Sequence, residues 1–164
     1  MDGEFLYEVL ELTKEENWKG VLKLNDESDK IEARNLLWVW PSEDNLRFIK
    51  DTVSNLNCVG IISIGCGCGL LEWIIEKSTG LPLLGYEVNR EWWESKYSPP
   101  TFINLKYSKQ PPDETTLDPE YALVFCYFNS GQAFRDYLRV YNGRVVIIIG
   151  PGEDLKQDMP KIAL

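Results

Sequence analysis

Apolar residues fall along this chain in two periods, one helical and one of unbroken short runs. Leu46, Ile49, Val53 and Leu56 recur at helical spacing; Ser42 stands ahead of them as an N-cap, and Glu43 and Asp44 suit the positive end of the helix dipole. Asn57 reads as the stop. CVGIISI (58–64) is then continuously apolar, the pattern of a strand buried on both faces. GCGCG (65–69) turns the chain, and LLEWIIEKST (70–79) reads as a helix ended by Gly80. The alternation repeats. LPLLGYE (81–87) is a strand, NREWWESKY (89–97) a short helix halted before Pro99 and Pro100, and TFINLKY (101–107) a strand. SKQPPDETTLDP (108–119) is a loop, YALVFCYF (121–128) a strand, SGQAFRDYLRVY (130–141) a helix and RVVIIIG (144–150) a fifth strand, after which GPGED opens a polar tail to Leu164. Upstream, Phe5, Leu6, Val9 and Leu10 predict a short helix, Trp18, Val21 and Leu22 a second apolar segment, NDESDK (25–30) a polar turn, and IEARNLLWVW (31–40) an apolar approach to Pro41.

Strand–helix alternation implies right-handed βαβ crossovers and an α/β domain with a mostly parallel sheet between two layers of helices. The expected division is an N-terminal helical extension over 1–41 packed on a domain over 42–164. In such a sheet ligands bind beyond the carboxyl ends of the strands, where strand order reverses, which points to residues 65–69, 87–89 and 127–131.

Composition narrows the chemistry. The 164 residues suit one domain with a real core, and 44% hydrophobic with 26% charged residues is the balance of an ordinary globular protein. The net charge of −9, with no Lys/Arg cluster, disfavours nucleic acid and anionic membranes as partners. No apolar run approaches the roughly 20 residues of a membrane span, and the start, MDGEFLYEVLELTKEE, is acidic from its second residue, unlike a targeting peptide. Cys58, Cys66, Cys68 and Cys126 read as reduced thiols of an intracellular protein, cytoplasmic or nuclear, without the spacing of a zinc site. The sequence has no His, which removes the commonest general base and triad chemistry with it.

In IISIGCGCGLLEW, Gly65 permits a tight turn, Gly67 removes the Cβ that would block a ligand, and Gly69 lets the helix pack near the strand; the helix start suits a carboxylate or phosphate. Glu87 closes the second strand, 22 residues after Gly65, where a carboxylate accepts both ribose hydroxyls of an adenosine. Alternatively it is a solvated acid capping the helix near Asn89. Trp92 and Trp93 either cover a ligand or divide between core and surface.

With IISIGCGCG at the first strand, GYEVN at the second and ALVFCYFN at the fourth, residues 42–150 resemble class I S-adenosylmethionine-dependent methyltransferases. The resemblance implies a Rossmann-like fold with S-adenosylmethionine as cofactor. Gly65, Cys66 and Gly67 would line its methionine side, Glu87 its ribose and Val88 its adenine, while Cys126, Tyr127 and Asn129 would border the methyl group. Asn129 with Tyr127 would position the acceptor, a small molecule or a protein side chain. Otherwise Asn129 is a helix cap and Tyr127 a core residue.

Three departures from the family stand out. Ser63 replaces the acid that usually holds the cofactor's amino group from two residues before the first glycine. The third strand is followed by no adenine-binding polar group until Asp113. Finally, the usual last two strands have no room after strand five, so that apolar edge needs a cover: an element of the same chain first, otherwise a second copy or a protein partner. These departures set a second reading beside the enzyme, a catalytically inactive methyltransferase-fold module serving as docking platform or cofactor sensor. A nicotinamide oxidoreductase is disfavoured, because the third residue after Gly67 is Leu70 and the GxGxxG spacing is absent.

Overall fold

The computed structural model describes residues 3–27, 30–151 and 160–163. Helices α1 (Glu4–Lys14), α2 (Trp18–Glu27) and α3 (Lys30–Leu36) precede α4 (Glu43–Asn55); β1 (Gly60–Ile64), α5 (Leu70–Thr79), β2 (Leu83–Glu87), α6 (Arg90–Trp93), β3 (Lys106–Tyr107), β4 (Tyr121–Cys126), α7 (Gly131–Val140), β5 (Val146–Pro151) and β6 (Pro160–Ala163) follow. The sheet runs β3-β2-β1-β4-β5-β6. Five strands are mutually parallel, and β6 joins β5 antiparallel. This is a doubly wound, Rossmann-like α/β sheet, and its order reverses between β1 and β4.

Alternation along the strands builds two cores. Ile61, Ala122, Val124, Ile147 and Ile149 face α4 and α5, and Phe5, Val9 and Val21 of the N-terminal helices belong to that same cluster. Ile62, Ile64, Leu123 and Phe125 face the other way, against Leu117 and Tyr137 of α7. Ser63 therefore points to the α5 side. The Ser42 cap of α4 is present, with Ser42 Oγ accepting from the Asn45 amide at 3.1 Å and Asn45 Oδ1 accepting from the Ser42 amide at 3.0 Å. 

Five segments differ from their sequence patterns. Residues 25–27, expected in a polar turn, complete α2, and the short helix expected over 89–97 is confined to Arg90–Trp93. Residues 31–40 divide into α3 and an extended stretch, with Trp40 Nε1 donating to the Ala33 carbonyl at 3.0 Å. The third strand shrinks from seven residues to Lys106–Tyr107, because the Phe102 amide is taken by the Cys68 carbonyl at 2.8 Å and Phe102 and Ile103 turn into the core. Within the expected polar tail, Pro160–Ala163 forms the extra strand β6 along the outer edge of β5. An element of the same chain, the cover expected first for that edge, is the arrangement seen.

Candidate functional site

The glycine bend between β1 and α5 is built from left-handed backbone: φ is +69° at Gly65, +59° at Gly67 and +79° at Gly69. Their surroundings differ. A Cβ at Gly65 would press on the Phe128 ring, and one at Gly69 would strike Ile103, whereas one at Gly67 meets only open space. Gly67 is thus the point where backbone faces a ligand-sized hollow. Gly69 lies outside the clefts and serves close packing, against Ile103 of the 101–105 segment.

Two clefts meet over this bend, both with Gly65, Cys126, Tyr127 and Asn129 in their walls. One, about 380 Å³, adds Tyr86, Glu87, Val88, Gln110, Phe128 and Tyr137. The other, about 510 Å³, adds residues 35–39, Cys66, Gly67, Glu72 and Trp93. Both volumes fall in the range of small-molecule sites. They sit past the carboxyl ends of β1, β2 and β4, at the reversal of strand order, as the fold rule requires.

Glu87 is aimed at the bend. Its Oε1 accepts from the Gly67 amide at 2.7 Å and its Oε2 from the Val88 amide at 3.2 Å. A carboxylate offers about four lone-pair sites, so two remain for a vicinal diol. Val88, 45% exposed, presents an apolar face beside it. Asp113 is not part of this wall: its Oδ1 accepts from Thr115 and Thr116 in an exposed turn. The polar group that the loop does bring is Gln110, whose Nε2 donates to the Tyr137 hydroxyl at 3.2 Å.

At the end of β4, Tyr127 holds a left-handed φ of +47°, rare for a residue with a side chain. Its ring meets the exposed Trp38 edge-on, with centroids 6.4 Å apart. Asn129 is exposed between the two clefts and does not cap α7; Ser130 does, its side chain accepting from the Ala133 amide at 3.3 Å. Of the tryptophan pair, Trp93 borders the second cleft and Trp92 is 46% exposed.

Ser63 is buried and committed, its Oγ donating to Glu72 Oε1 at 2.7 Å. Glu72 is only 3% exposed. Burial raises its carboxyl to about 7, the Ser63 bond opposing that rise and the Glu87 charge adding to it. The sequence signal for Glu72 was a single acid inside the otherwise apolar run LLEWII. Burial also pushes the Cys66 and Cys68 thiols up and takes Cys126 to about 12, with the Glu72 charge contributing in each case. These thiols stay protonated and are not nucleophiles.

The donor set fits an adenosyl amino acid: free carboxylate lone pairs for a diol, an apolar wall for a base, and an open backbone cradle at Gly67. No protein-family model matches the chain, and no curated protein matches it. Among solved structures it is similar to a SAM dependent methyltransferase from Archaeoglobus fulgidus, with 19% identity and a TM-score of 0.41 over 66% of this chain and 54% of that one. The chain spans about half the length of that neighbour.

Proposed function

We propose that this chain binds S-adenosylmethionine across the two clefts and acts as a methyltransferase on a small molecule or a protein side chain. The observation that carries this reading is the Glu87 carboxylate, drawn to the Gly67 amide at 2.7 Å with lone pairs left over at the mouth of the first cleft. In that cleft Glu87 accepts the ribose hydroxyls, Val88 covers one face of the adenine, and Gln110 meets its polar edge. The methionine part continues past Gly65 and Gly67 into the second cleft. When bound, the cofactor supplies an electrophilic methyl group on a sulfonium. The chain's own task is then alignment, because in-line displacement depends on placing the nucleophile. Asn129 and Tyr127, common to both clefts, orient the acceptor. A sequence without His is compatible with that chemistry.

Titration calorimetry with S-adenosylmethionine and S-adenosylhomocysteine tests the reading. Both ligands should bind, and Glu87→Ala should weaken both by about tenfold or more, since charge-assisted hydrogen bonds contribute about 1.5–3 kcal/mol. Absence of heat with either ligand at about 1 mM, a weak-binding limit, would sink the proposal and leave the docking-module alternative in its place. Turnover is checked separately, by transfer of labelled methyl to candidate amines, hydroxyls and peptides.

A further inference from the structure

From the second cleft we infer that Glu72, oriented by Ser63, is the counter-ion for a protonated amine of the bound ligand. A carboxylate removed from water needs a cation or dense hydrogen bonding to remain ionised. Glu72 has the Ser63 hydroxyl and its own backbone amide, and none of the ion pairs among the described residues involves it. The charge acting on it is that of another carboxylate, Glu87. Yet Glu72 is on the wall of a cleft and not sealed in the core. That cleft is lined by no Lys or Arg, and Trp38, Trp93 and Tyr127 are among its lining residues. An anionic floor under aromatic walls selects an organic cation. 

The placement also accounts for Ser63. Position 63 faces α5, and a hydroxyl there can donate to a carboxylate arriving from the helix, whereas a carboxylate there would repel it. Glu72 thus supplies from α5 the charge that strand β1 lacks.

This inference rests on the S-adenosylmethionine reading, and its test separates the two. S-adenosylhomocysteine and its deamino analogue, which keeps the carboxylate, are titrated into the wild-type chain and into Glu72→Gln. The amine-bearing ligand should bind wild type about tenfold or more tighter than the deamino analogue, and Glu72→Gln should erase that difference. The pH dependence needs no variant. Glu87 on β2, Cys66 and Cys68 on the bend and Cys126 at the end of β4 face Glu72. The thiols stay protonated below pH 8, and Glu87 acts on both ligands alike. Affinity for S-adenosylhomocysteine should therefore fall by about tenfold or more from pH 8 to 5.5 as Glu72 takes up a proton, with little change for the deamino analogue. Equal binding of the two ligands by wild type overturns the role of Glu72 and leaves the S-adenosylmethionine reading standing. If neither ligand binds, both fall.

Discussion

Glu72 carries a consequence for the free protein, independent of any ligand. Its native carboxyl sits near 7, against an ordinary value of 4.5. Between those values the native state holds a proton that the unfolded chain has released, so stability falls as pH rises from about 4.5 to 7. The difference corresponds to about 3 kcal/mol, at 1.36 kcal/mol per pH unit. Glu16 and Asp113 are shifted downward, by hydrogen bonds from Lys77 and from Thr115 and Thr116 respectively, and as exposed acids they act below this window. Urea denaturation at pH 5 and pH 7.5 should show wild type losing stability across the interval and Glu72→Gln losing much less. Parallel pH profiles for the two proteins would refute the assignment. At this scale the sequence spoke unevenly. Glu87 was legible as a neighbour of the glycine turn because parallel pairing of β1 and β2 brings the end of the second strand beside the bend. Glu72 was not, because an acid in the first turn of a helix also looks like a dipole partner; only the burial of Leu70, Leu71, Trp73, Ile74 and Ile75 around it makes it unusual. Gln110 lay hidden for a different reason: which polar residue of a loop faces a cleft is set by the loop's path.

Among elements, the bend between β1 and α5 joins close packing and an open cleft wall in five residues. Gly67 and Gly69 share left-handed backbone, so alanine at either costs about 1–2 kcal/mol in conformational energy. Their neighbourhoods then separate them. Gly69→Ala adds a clash with Ile103 and should lose clearly more stability, part of it regained when Ile103→Ala opens room. Gly67→Ala meets no protein atom, so it should unfold close to the backbone cost alone while weakening S-adenosylhomocysteine binding. Chemical denaturation of the three variants, with calorimetry on Gly67→Ala, checks this; equal stability losses at 67 and 69 would contradict it. The alternating pattern identified β1, β2, β4 and β5 because each is an apolar run that needs two covered faces. It overextended β3 because Phe102 and Ile103 are equally apolar when they leave the sheet to pack behind the bend. It missed α3 because IEARNL buries little besides Ala33.

For the molecule as a whole, the remaining question is how a sheet with five parallel strands ends. β5 runs the apolar stretch VIII along the sheet's margin, and Ile148 is still 44% exposed. An unpaired strand of that composition is a template for another chain. β6 occupies the position, in register from Ile148 opposite Ala163 to Pro151 opposite Pro160. Little in the chain announces it, since PKIA is short and opens with a proline; its pairing depends on the apolar edge it meets more than on its own propensity. Removing residues 152–164 should therefore bare β5 without touching either cleft, neither of which draws on β5. The shortened chain should keep its ligand affinity and associate into larger species as concentration rises. Added salt should strengthen that association by screening the negative charge, −9 on the full chain. Ile148→Lys in the shortened chain should reverse the association, because a charge on an edge strand blocks pairing. Size-exclusion chromatography with light scattering decides the matter. A shortened chain that runs at its own smaller mass at every concentration would show that β5 does not need its antiparallel neighbour, and the role assigned to β6 would be lost.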